Sequence, residues 1–302
     1  METSAIVPGR LELHLSAFYL DAVSQHEEDC PDIGPQCARS PPPTPYIHHV
    51  ELQSEETDLD AAYGVTTWLA AEIRFPLRVV HEHPTYFTLA GQQMVGFTDI
   101  HHREETLFGP GDPWLVARVG ASTGKLVTAA RVGVTVPLGS TVPDPYVLGR
   151  EGLPHEHIQF GTGTVVPIVG GGLAYDADLV QLSLSAMAFF PSYADGYGYR
   201  APSHWFVSAR GTLPLLGGAL RPYLATDVTH TGREVWQGLY GGESYAITDL
   251  LIGGGLAWRF APPWTVEGGA RFPVVHDTQG ASYDYPALFE LSLGTSFDLL
   301  PR

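Results

Sequence analysis

The side chains best suited to chemistry in this sequence are its 13 histidines, most of which come in close pairs. The pairs lie in the segments His48-His49, His81-Glu82-His83, His101-His102 and His155-Glu156-His157. Residues two apart in an extended chain point to the same side, so two of these segments can each present two imidazoles to one ion. Imidazole suits zinc, copper or nickel, whereas the alternative is a solvated rim that titrates near neutral pH. The predicted ligands of zinc or copper are His81, His83, His101, His102, His155 and His157.

Arginines and carboxylates form a second set, because they recur on the polar side of alternating segments. Such charges inside a narrow lumen must be paired or hydrated, since an unpaired buried charge is costly. The forked arginine side chain binds carboxylates through two bonds, which explains the preference for arginine over lysine. We predict that these side chains line an interior, either as closed ladders of ion pairs or as the walls of a water-filled channel. The set is Glu12, Glu72, Arg74, Arg118, Arg131, Arg210, Asp227, Asp249, Arg259, Glu267, Arg271, Glu290 and Asp298.

Hydroxyl side chains next to histidine are the nearest approach to a catalytic motif. They are Ser203-His204 and Thr229-His230-Thr231, and neither has a recognisable signature. A nucleophile needs a base within hydrogen-bond reach, but adjacent residues in a strand face opposite ways. We therefore predict no catalytic residues and a protein that is not an enzyme.

The two cysteines, Cys30 and Cys37, lie in a polar, proline-rich stretch. We predict a disulfide between them, which implies an oxidising compartment. The alternatives are two unrelated thiols or a zinc site shared with His26.

The composition excludes some partners. The net charge is -17 and lysine occurs once, at Lys125, so we predict no nucleic-acid partner. The sequence has no run of eighteen or more apolar residues, so we predict no transmembrane helix. The start, METSAIVPGR, lacks the basic and apolar segments of a secretion signal, and we expect that this signal has been removed.

The elements that must position these side chains are strands, because polar and apolar residues alternate with period two along most of the chain. In "AITDLLIGGGLAWRF", Leu250, Ile252 and Leu256 share one face, whereas Asp249 and Arg259 share the other. About twelve strands are predicted near residues 9–20, 50–63, 67–79, 113–122, 126–138, 158–175, 179–190, 204–216, 220–230, 246–260, 264–275 and 287–299.

Short and long connections alternate strictly between these strands. An even number of strands with short turns at one end and long loops at the other is typical of a transmembrane β-barrel. We predict a single all-β domain over 1–302, an up-and-down antiparallel barrel with short periplasmic turns and long extracellular loops at about 22–48, 80–112 and 140–157. Its apolar face would contact the lipid of a bacterial outer membrane, and we expect a monomer. The alternative is a soluble antiparallel barrel or sandwich with its polar face outward.

Prolines mark several strand ends in this prediction, at Pro76, Pro137, Pro191 and Pro273, because proline removes a ladder hydrogen bond. The segments Val136-Pro137-Leu138-Gly139 and Phe160-Gly161-Thr162-Gly163-Thr164 are similar to a strand end and a strand start of one barrel family. Over about 58–299 the chain resembles the Gram-negative outer-membrane, transporter-like family linked to a phenol meta-cleavage pathway. The resemblance implies an outer-membrane channel or small-molecule transporter, and it supplies no catalytic residues.

Two functions follow from these patterns. The first is a channel-like outer-membrane barrel that passes or binds a small solute, with histidine-rich loops that bind a metal at its entrance. The second is a closed structural or interaction barrel whose acidic, histidine-rich loops bind a divalent metal or a protein partner.

Overall fold

The computed structural model describes residues 4–28, 46–100, 102–240, 245–279 and 282–300. Its strands are β1 (Arg10–Glu28), β2 (Tyr46–Gly64), β3 (Leu69–Thr88), β4 (Glu105–Pro110), β5 (Trp114–Thr123), β6 (Leu126–Thr135), β7 (Pro167–Asp176), β8 (Gln181–Phe189), β9 (Tyr199–Arg200), β10 (His204–Thr212), β11 (Leu220–Thr231), β12 (Val235–Trp236), β13 (Leu239–Tyr240), β14 (Ile247–Ala261), β15 (Trp264–Asp277), β16 (Ser282–Asp284) and β17 (Leu288–Asp298). One short helix, α1 (Pro145–Arg150), and a 3-10 turn (Leu216–Gly218) interrupt the loops.

Twelve antiparallel strands close into a barrel, because β1 pairs with both β2 and β17. Around the ring they run β1, β2, β3, β5, β6, β7, β8, β10, β11, β14, β15, β17, and β4 extends the line of β5 by pairing with β3. The short strands β9, β12 and β13 form a separate small sheet in the loops. The predicted up-and-down barrel of about twelve strands is therefore confirmed.

Apolar side chains cover the outside of the barrel. The large exposed ones include Leu15, Leu59, Ile73, Val132, Leu184, Ile252 and Leu291. Aromatic side chains ring the end with the short turns, namely Trp68, Trp258, Phe260 and Trp264. A soluble barrel would place its polar face outward, whereas this one has the apolar belt and aromatic girdle of a membrane barrel. Among the described residues no helix is long and apolar enough to cross a membrane.

The strands β1, β2 and β3 are longer than predicted and extend the wall beyond the apolar belt. Their outward residues there are polar, with Asp21 opposite Gln53, and Gln53 opposite His81. The sequence stretch is polar on both faces, so its alternation does not separate an inside from an outside. Backbone pairing continues there because a sheet in water needs no apolar face on its outer side.

Two of the four prolines lie where the prediction put them, and two do not. Pro137 follows β6 and Pro191 follows β8, at strand ends. Pro76 and Pro273 instead lie within β3 and β15, so the prediction of strand ends there was wrong. Pro273 adjoins a register shift against β14, and the Pro76 carbonyl accepts the Gly111 N–H at the break between β4 and β5. The missing N–H is tolerated at such irregularities.

The strand predicted at 158–175 begins only at Pro167. Residues 136–166, which connect β6 to β7 and include α1, form what we call the cap loop. Gly163 has a φ of +63°, a left-handed conformation that a β-strand does not contain, so the segment from Phe160 to Thr164 is not the start of a strand. Val166, at the end of the cap loop, packs inside the barrel against Val116, Ile168 and Phe189.

Candidate functional site

The inner surface carries two clusters of charged side chains on opposite sides. We name the part formed by β3, β5 and β6 the Glu72 wall, and the part formed by β10, β11, β15 and β17 the Tyr223 wall. β3 and β11 are six strands apart in the ring of twelve, so the two walls face each other across the lumen.

One carboxylate lies at the centre of the Glu72 wall. Arg118 Nε is 2.7 Å from Glu72 Oε1, and Arg131 Nε is 2.8 Å from Glu72 Oε2. At most 4% of each of these side chains is exposed. Arg118 also donates from Nη1 to the backbone oxygen of Ser4, at 2.9 Å, which ties the segment before β1 to the inside of the barrel.

A third arginine of the Glu72 wall joins two aspartates of β2. Arg74 Nε donates to Asp60 Oδ1 at 2.7 Å, and Arg74 Nη1 is 3.0 Å from Asp58 Oδ2. The Arg74 guanidinium carbon also lies 4.6 Å from the centre of the Trp114 ring. These contacts fix the side chain in one orientation, since a planar guanidinium satisfies both carboxylates and the ring at once.

The Tyr223 wall has a different arrangement. Arg210 donates from Nη1 and Nη2 to the two Glu267 oxygens, at 2.7 and 2.9 Å. Its guanidinium carbon lies 3.6 Å from the centre of the Tyr223 ring. Arg271 donates from Nε to Asp227 Oδ2 at 2.8 Å, and its Nη2 is 3.8 Å from Glu290 Oε2.

Glycines determine where the Tyr223 ring lies. A methyl group on Gly255 would be 2.5 Å from the Tyr223 hydroxyl oxygen, and one on Gly269 would overlap the same atom. The ring therefore occupies space that any larger residue on β14 or β15 would fill. This packing holds the ring beneath the Arg210 guanidinium.

A cavity of about 650 Å³ lies between the two walls. Its lining includes Glu12, His14, Ser16, Asp60, Arg74, Ser183, Arg210, Thr212, Thr265, Glu267 and Ser292. Lys125, Asp176 and Pro263 border it at the end with the short turns. The cavity is thus polar, and it reaches from the middle of the barrel to the predicted periplasmic end.

The opposite end of the lumen has an apolar patch on its inner wall. Five buried side chains and two half-buried aromatic ones pack together there: Val116, Val166, Ile168, Met187 and Phe189, with Trp114 and Phe206. The Trp114 and Phe189 ring centres are 4.8 Å apart. Inward apolar side chains are unusual in a barrel whose lumen is water-filled, because interior residues of such barrels are polar.

The remaining residues of the predicted lumen set lie outside the two clusters. Asp249 Oδ1 is 2.5 Å from His276 Nδ1 near the long-loop end. Arg259 donates from Nη2 to the Gly217 carbonyl at 3.4 Å, and Asp298 accepts from Arg10 Nε at 2.9 Å, both at the short-turn rim. The structure therefore brings most of the set into two groups, places Glu12 of β1 beside the cavity between them, and leaves these three apart.

The structure separates the predicted metal ligands. His81 and His83 lie on the outer face of β3, where His81 contacts Thr106 and His83 is 3.7 Å from Glu104. The other described histidines of this set are His102, His155 and His157, and they lie near His48 on the inner side. The ring centres of His48 and His102 are 5.3 Å apart, and those of His155 and His157 are also 5.3 Å apart. Within the described ranges no three His, Cys, Asp or Glu side chains are arranged to hold a metal ion. His101, Cys30 and Cys37 lie outside the described residues, so zinc or copper binding and the disulfide stay predictions.

The catalytic candidates also lie at the long-loop end. His204 Nδ1 is 3.0 Å from Thr231 Oγ1, and His230 Nδ1 is 2.8 Å from Thr248 Oγ1. Each histidine is thus joined to a threonine on the neighbouring strand rather than to the hydroxyl beside it in sequence. The expectation that the protein is not an enzyme stays a prediction.

Burial sets the electrostatics of the loops that pack on the cap loop. Tyr199 and Trp236 stack with ring centres 4.8 Å apart, and Tyr146 of α1 packs against them. Burial raises the pKa of the Tyr199 phenol above its ordinary value, and the Glu234 carboxylate adds to this. Burial also raises the pKa of Glu234, although the hydrogen bond from Trp236 opposes the shift.

Sequence reasoning missed three features of this interior. Asp58 and Asp60 carry the same period of two as the predicted set, but they lie in a stretch too polar to orient. Tyr223 shares the period of two with Asp227, but the predicted lumen set contained only charged side chains. Asp112 lies in the turn-rich segment Gly109-Pro110-Gly111-Asp112-Pro113, which signalled a loop rather than a site.

No protein-family model matches the chain, and no curated protein matches it. Among solved structures it is similar to an outer-membrane channel from Pseudomonas putida F1, with a TM-score of 0.60 and 12% identity over 98% of each chain. Lower TM-scores relate it to the toluene transporter TbuX of Ralstonia pickettii (0.46, 9% identity, 97% of this chain and 90% of that one). A FadL homologue of Pseudomonas aeruginosa gives 0.44, with 8% identity over 99% of this chain and 96% of that one. The similarity to the Pseudomonas putida structure shows that the chain has the fold of an outer-membrane β-barrel, and its apolar belt agrees with the predicted location in the bacterial outer membrane.

Proposed function

We propose that this barrel is an outer-membrane channel that passes a small solute with an apolar part. The observation that carries the proposal is the cavity of about 650 Å³ between the two walls, which continues to the short-turn end. A barrel with a purely structural interior would fill this space with side chains, as narrow barrels do.

The ion pairs support an open path. Arg118 pairs with Glu72 on the same wall, and Arg210 pairs with Glu267 on the other. These pairs neutralise charge along each wall and leave hydroxyl groups, such as those of Ser16 and Ser292, between them. A water-filled space bordered by neutralised arginines and hydroxyls suits an uncharged or weakly charged solute.

The apolar patch supports the solute class. Met187, Phe189 and Phe206 turn toward the lumen on neighbouring strands, although a water channel has no need of apolar inner side chains. Apolar surface gains about 25 cal/mol per Å² on burial, so a solute with an aromatic or aliphatic part would bind there. We further propose that the barrel acts as a monomer, because its sheet closes on itself.

The test is ion current through the purified protein in planar lipid bilayers, with and without added solute. We expect openings that carry current, which a small ring-containing alcohol blocks transiently and a sugar of similar size blocks less. Met187→Gln keeps the side-chain length but adds an amide, so it should weaken the block by the alcohol and leave the sugar result unchanged. Ser183→Ala, in the polar cavity, is the matched control.

A folded barrel that carries no current under any condition contradicts the channel and favours the closed barrel that binds a partner. Folding is checked separately by the change in gel mobility between boiled and unboiled protein. Light scattering in detergent tests the monomer.

A further inference from the structure

Asp112 lies at the break between β4 and β5, where the barrel wall changes from one strand segment to the next. Its side chain is buried and accepts three hydrogen bonds from the cap loop. Gly139 N–H donates to Oδ1 at 2.9 Å, while Thr162 donates to Oδ2 from its N–H at 2.8 Å and from its hydroxyl at 2.7 Å. The Gly139 and Thr162 N–H groups can only donate, and each meets a different oxygen, so the site needs an acceptor at both oxygens, which a carboxylate provides and an amide does not.

The three donors come from the two segments that the sequence marked as a strand end and a strand start. Both segments are instead the two ends of the cap loop, and they meet at Asp112. Their backbones touch, because a methyl group on Gly139 would lie 2.5 Å from the Gly161 Cα. The glycines of both segments thus have one physical reason, which is the close approach of two chains around a single carboxylate.

Beyond this junction the cap loop reaches both sides of the lumen. His155 N–H donates to the Ile100 carbonyl at 3.2 Å, in the loop after β3. Tyr146 packs against Tyr199 and Trp236, in the loops after β8 and β11. At its end, Val166 is itself one of the buried side chains of the apolar patch. The cap loop therefore closes the end of the lumen opposite the cavity mouth.

We propose that Asp112 is a positioning residue that holds the cap loop closed, so that release of its three hydrogen bonds opens the path to the apolar patch. The inference rests on the proposed channel function for its effect on transport, but its effect on the cap loop is independent of transport. Hydrogen bonds to a charged acceptor are stronger than neutral ones, such as the bond from the Val142 N–H to Gln159 Oε1 across the same loop.

The experiment compares wild type with Asp112→Asn, which keeps the shape but turns one oxygen into an NH₂ group that faces a donor. Two quantities are measured in the folded, lipid-inserted barrel: protease cleavage within 140–158, and the open fraction in bilayer recordings. We expect both to rise about tenfold, which corresponds to about 1.4 kcal/mol. Asp178→Asn, in a short turn at the far end, removes the same charge and should change neither.

Thr162→Val removes one of the three donors without adding a charge. It should raise cleavage less than Asp112→Asn does, and the double variant should equal Asp112→Asn alone, because both changes act on one junction. Unchanged cleavage in folded Asp112→Asn overturns the proposal. Faster cleavage with no current in either protein supports the role of Asp112 in holding the cap loop and contradicts the channel. The failure of one proposal can therefore be distinguished from the failure of the other.

Discussion

The Glu72 wall and the Tyr223 wall use the same residue types, but they differ in what surrounds them. The side chains of Glu72, Arg118 and Arg131 are at most 4% exposed. On the opposite wall 16% of Arg210, 14% of Glu267 and 24% of Glu290 are exposed, because they border the cavity. Both walls border the cavity, but the centre of the Glu72 wall is packed and stabilises the barrel, whereas the Tyr223 wall exposes more of its charged side chains to the cavity. Alternation in sequence places a charge on the inner face but does not say which of these two environments it meets.

The largest expected effect comes from the centre of the Glu72 wall. Glu72→Gln removes the carboxylate that both Arg118 and Arg131 contact and leaves two buried guanidinium groups beside a neutral amide. Breaking a buried ion pair from one side costs roughly 3–5 kcal/mol. We expect a loss of this size in the free energy of unfolding, measured by urea titration in lipid vesicles with tryptophan fluorescence.

Asp298→Asn is the control for that measurement, since its partner Arg10 lies at the rim and 39% of the Asp298 side chain is exposed. An exposed ion pair contributes about 0–1 kcal/mol. Equal losses in the two variants would show that the Glu72 wall is no more buried in solution than the rim.

The next effect concerns Gly255 and Gly269, the two glycines against which the Tyr223 ring packs. Gly269→Ala places a methyl group on the Tyr223 hydroxyl, so the ring must move away from Arg210. Overpacking of this kind costs roughly 1–3 kcal/mol. Gly268→Ala is the matched control, because its nearest neighbours would be 3.8 Å away and an added methyl group fits. If Gly269 mattered only through backbone flexibility, the two variants would lose the same free energy of unfolding.

A third change separates the walls by transport rather than stability. Glu267→Gln leaves the Arg210 charge facing the cavity, so reversal potentials in a salt gradient should shift toward anions. A unit charge about 4 Å from an ion in water contributes about 1 kcal/mol, or roughly a fivefold change in the permeability ratio. Arg210→Gln should shift the ratio the other way. Identical reversal potentials in the two variants would remove the cavity from the ion path.

The smallest effect lies in the loops. Burial raises the pKa of Glu234 above its ordinary value of 4.5, so the native protein holds this proton more strongly than the unfolded chain does. Stability of the loops is then greatest at low pH and falls as pH rises through the raised pKa. Amide exchange of β12, corrected for intrinsic rates, should show protection that falls with rising pH in wild type. Glu234→Gln should remove that dependence, and its persistence in the variant would assign it to another group.

The fold could be predicted because the membrane imposes a strict rule on the sequence. Leu250, Ile252 and Leu256 must face lipid, so the alternation along β14 is strong and its inner and outer faces are unambiguous. Above the apolar belt no such rule holds. Residues 46–55 of β2 are polar on both faces, and they pair with residues 19–28 of β1 and 79–88 of β3, most of which the sequence assigned to loops.

The candidate site could be predicted only as a list. Alternation places Glu72 and Arg210 on the inside, but which carboxylate meets which arginine depends on register and on contacts across three strands. Asp112 escaped notice for a related reason. Its donors lie 27 and 50 residues away in sequence, and its own segment reads as a turn.

We propose that the lumen is open to water beside the Tyr223 wall, whereas the inner side chains at the centre of the Glu72 wall are packed away from it. The most direct test is labelling of single cysteines by a charged, membrane-impermeant thiol reagent, with Cys30 and Cys37 replaced by serine. Ser292→Cys borders the cavity, whereas Ala70→Cys lies on β3 in the Glu72 wall with 1% exposure. We predict rapid labelling of Ser292→Cys in the folded barrel and labelling of Ala70→Cys only after unfolding. Protection of both cysteines in the folded protein would contradict an open lumen.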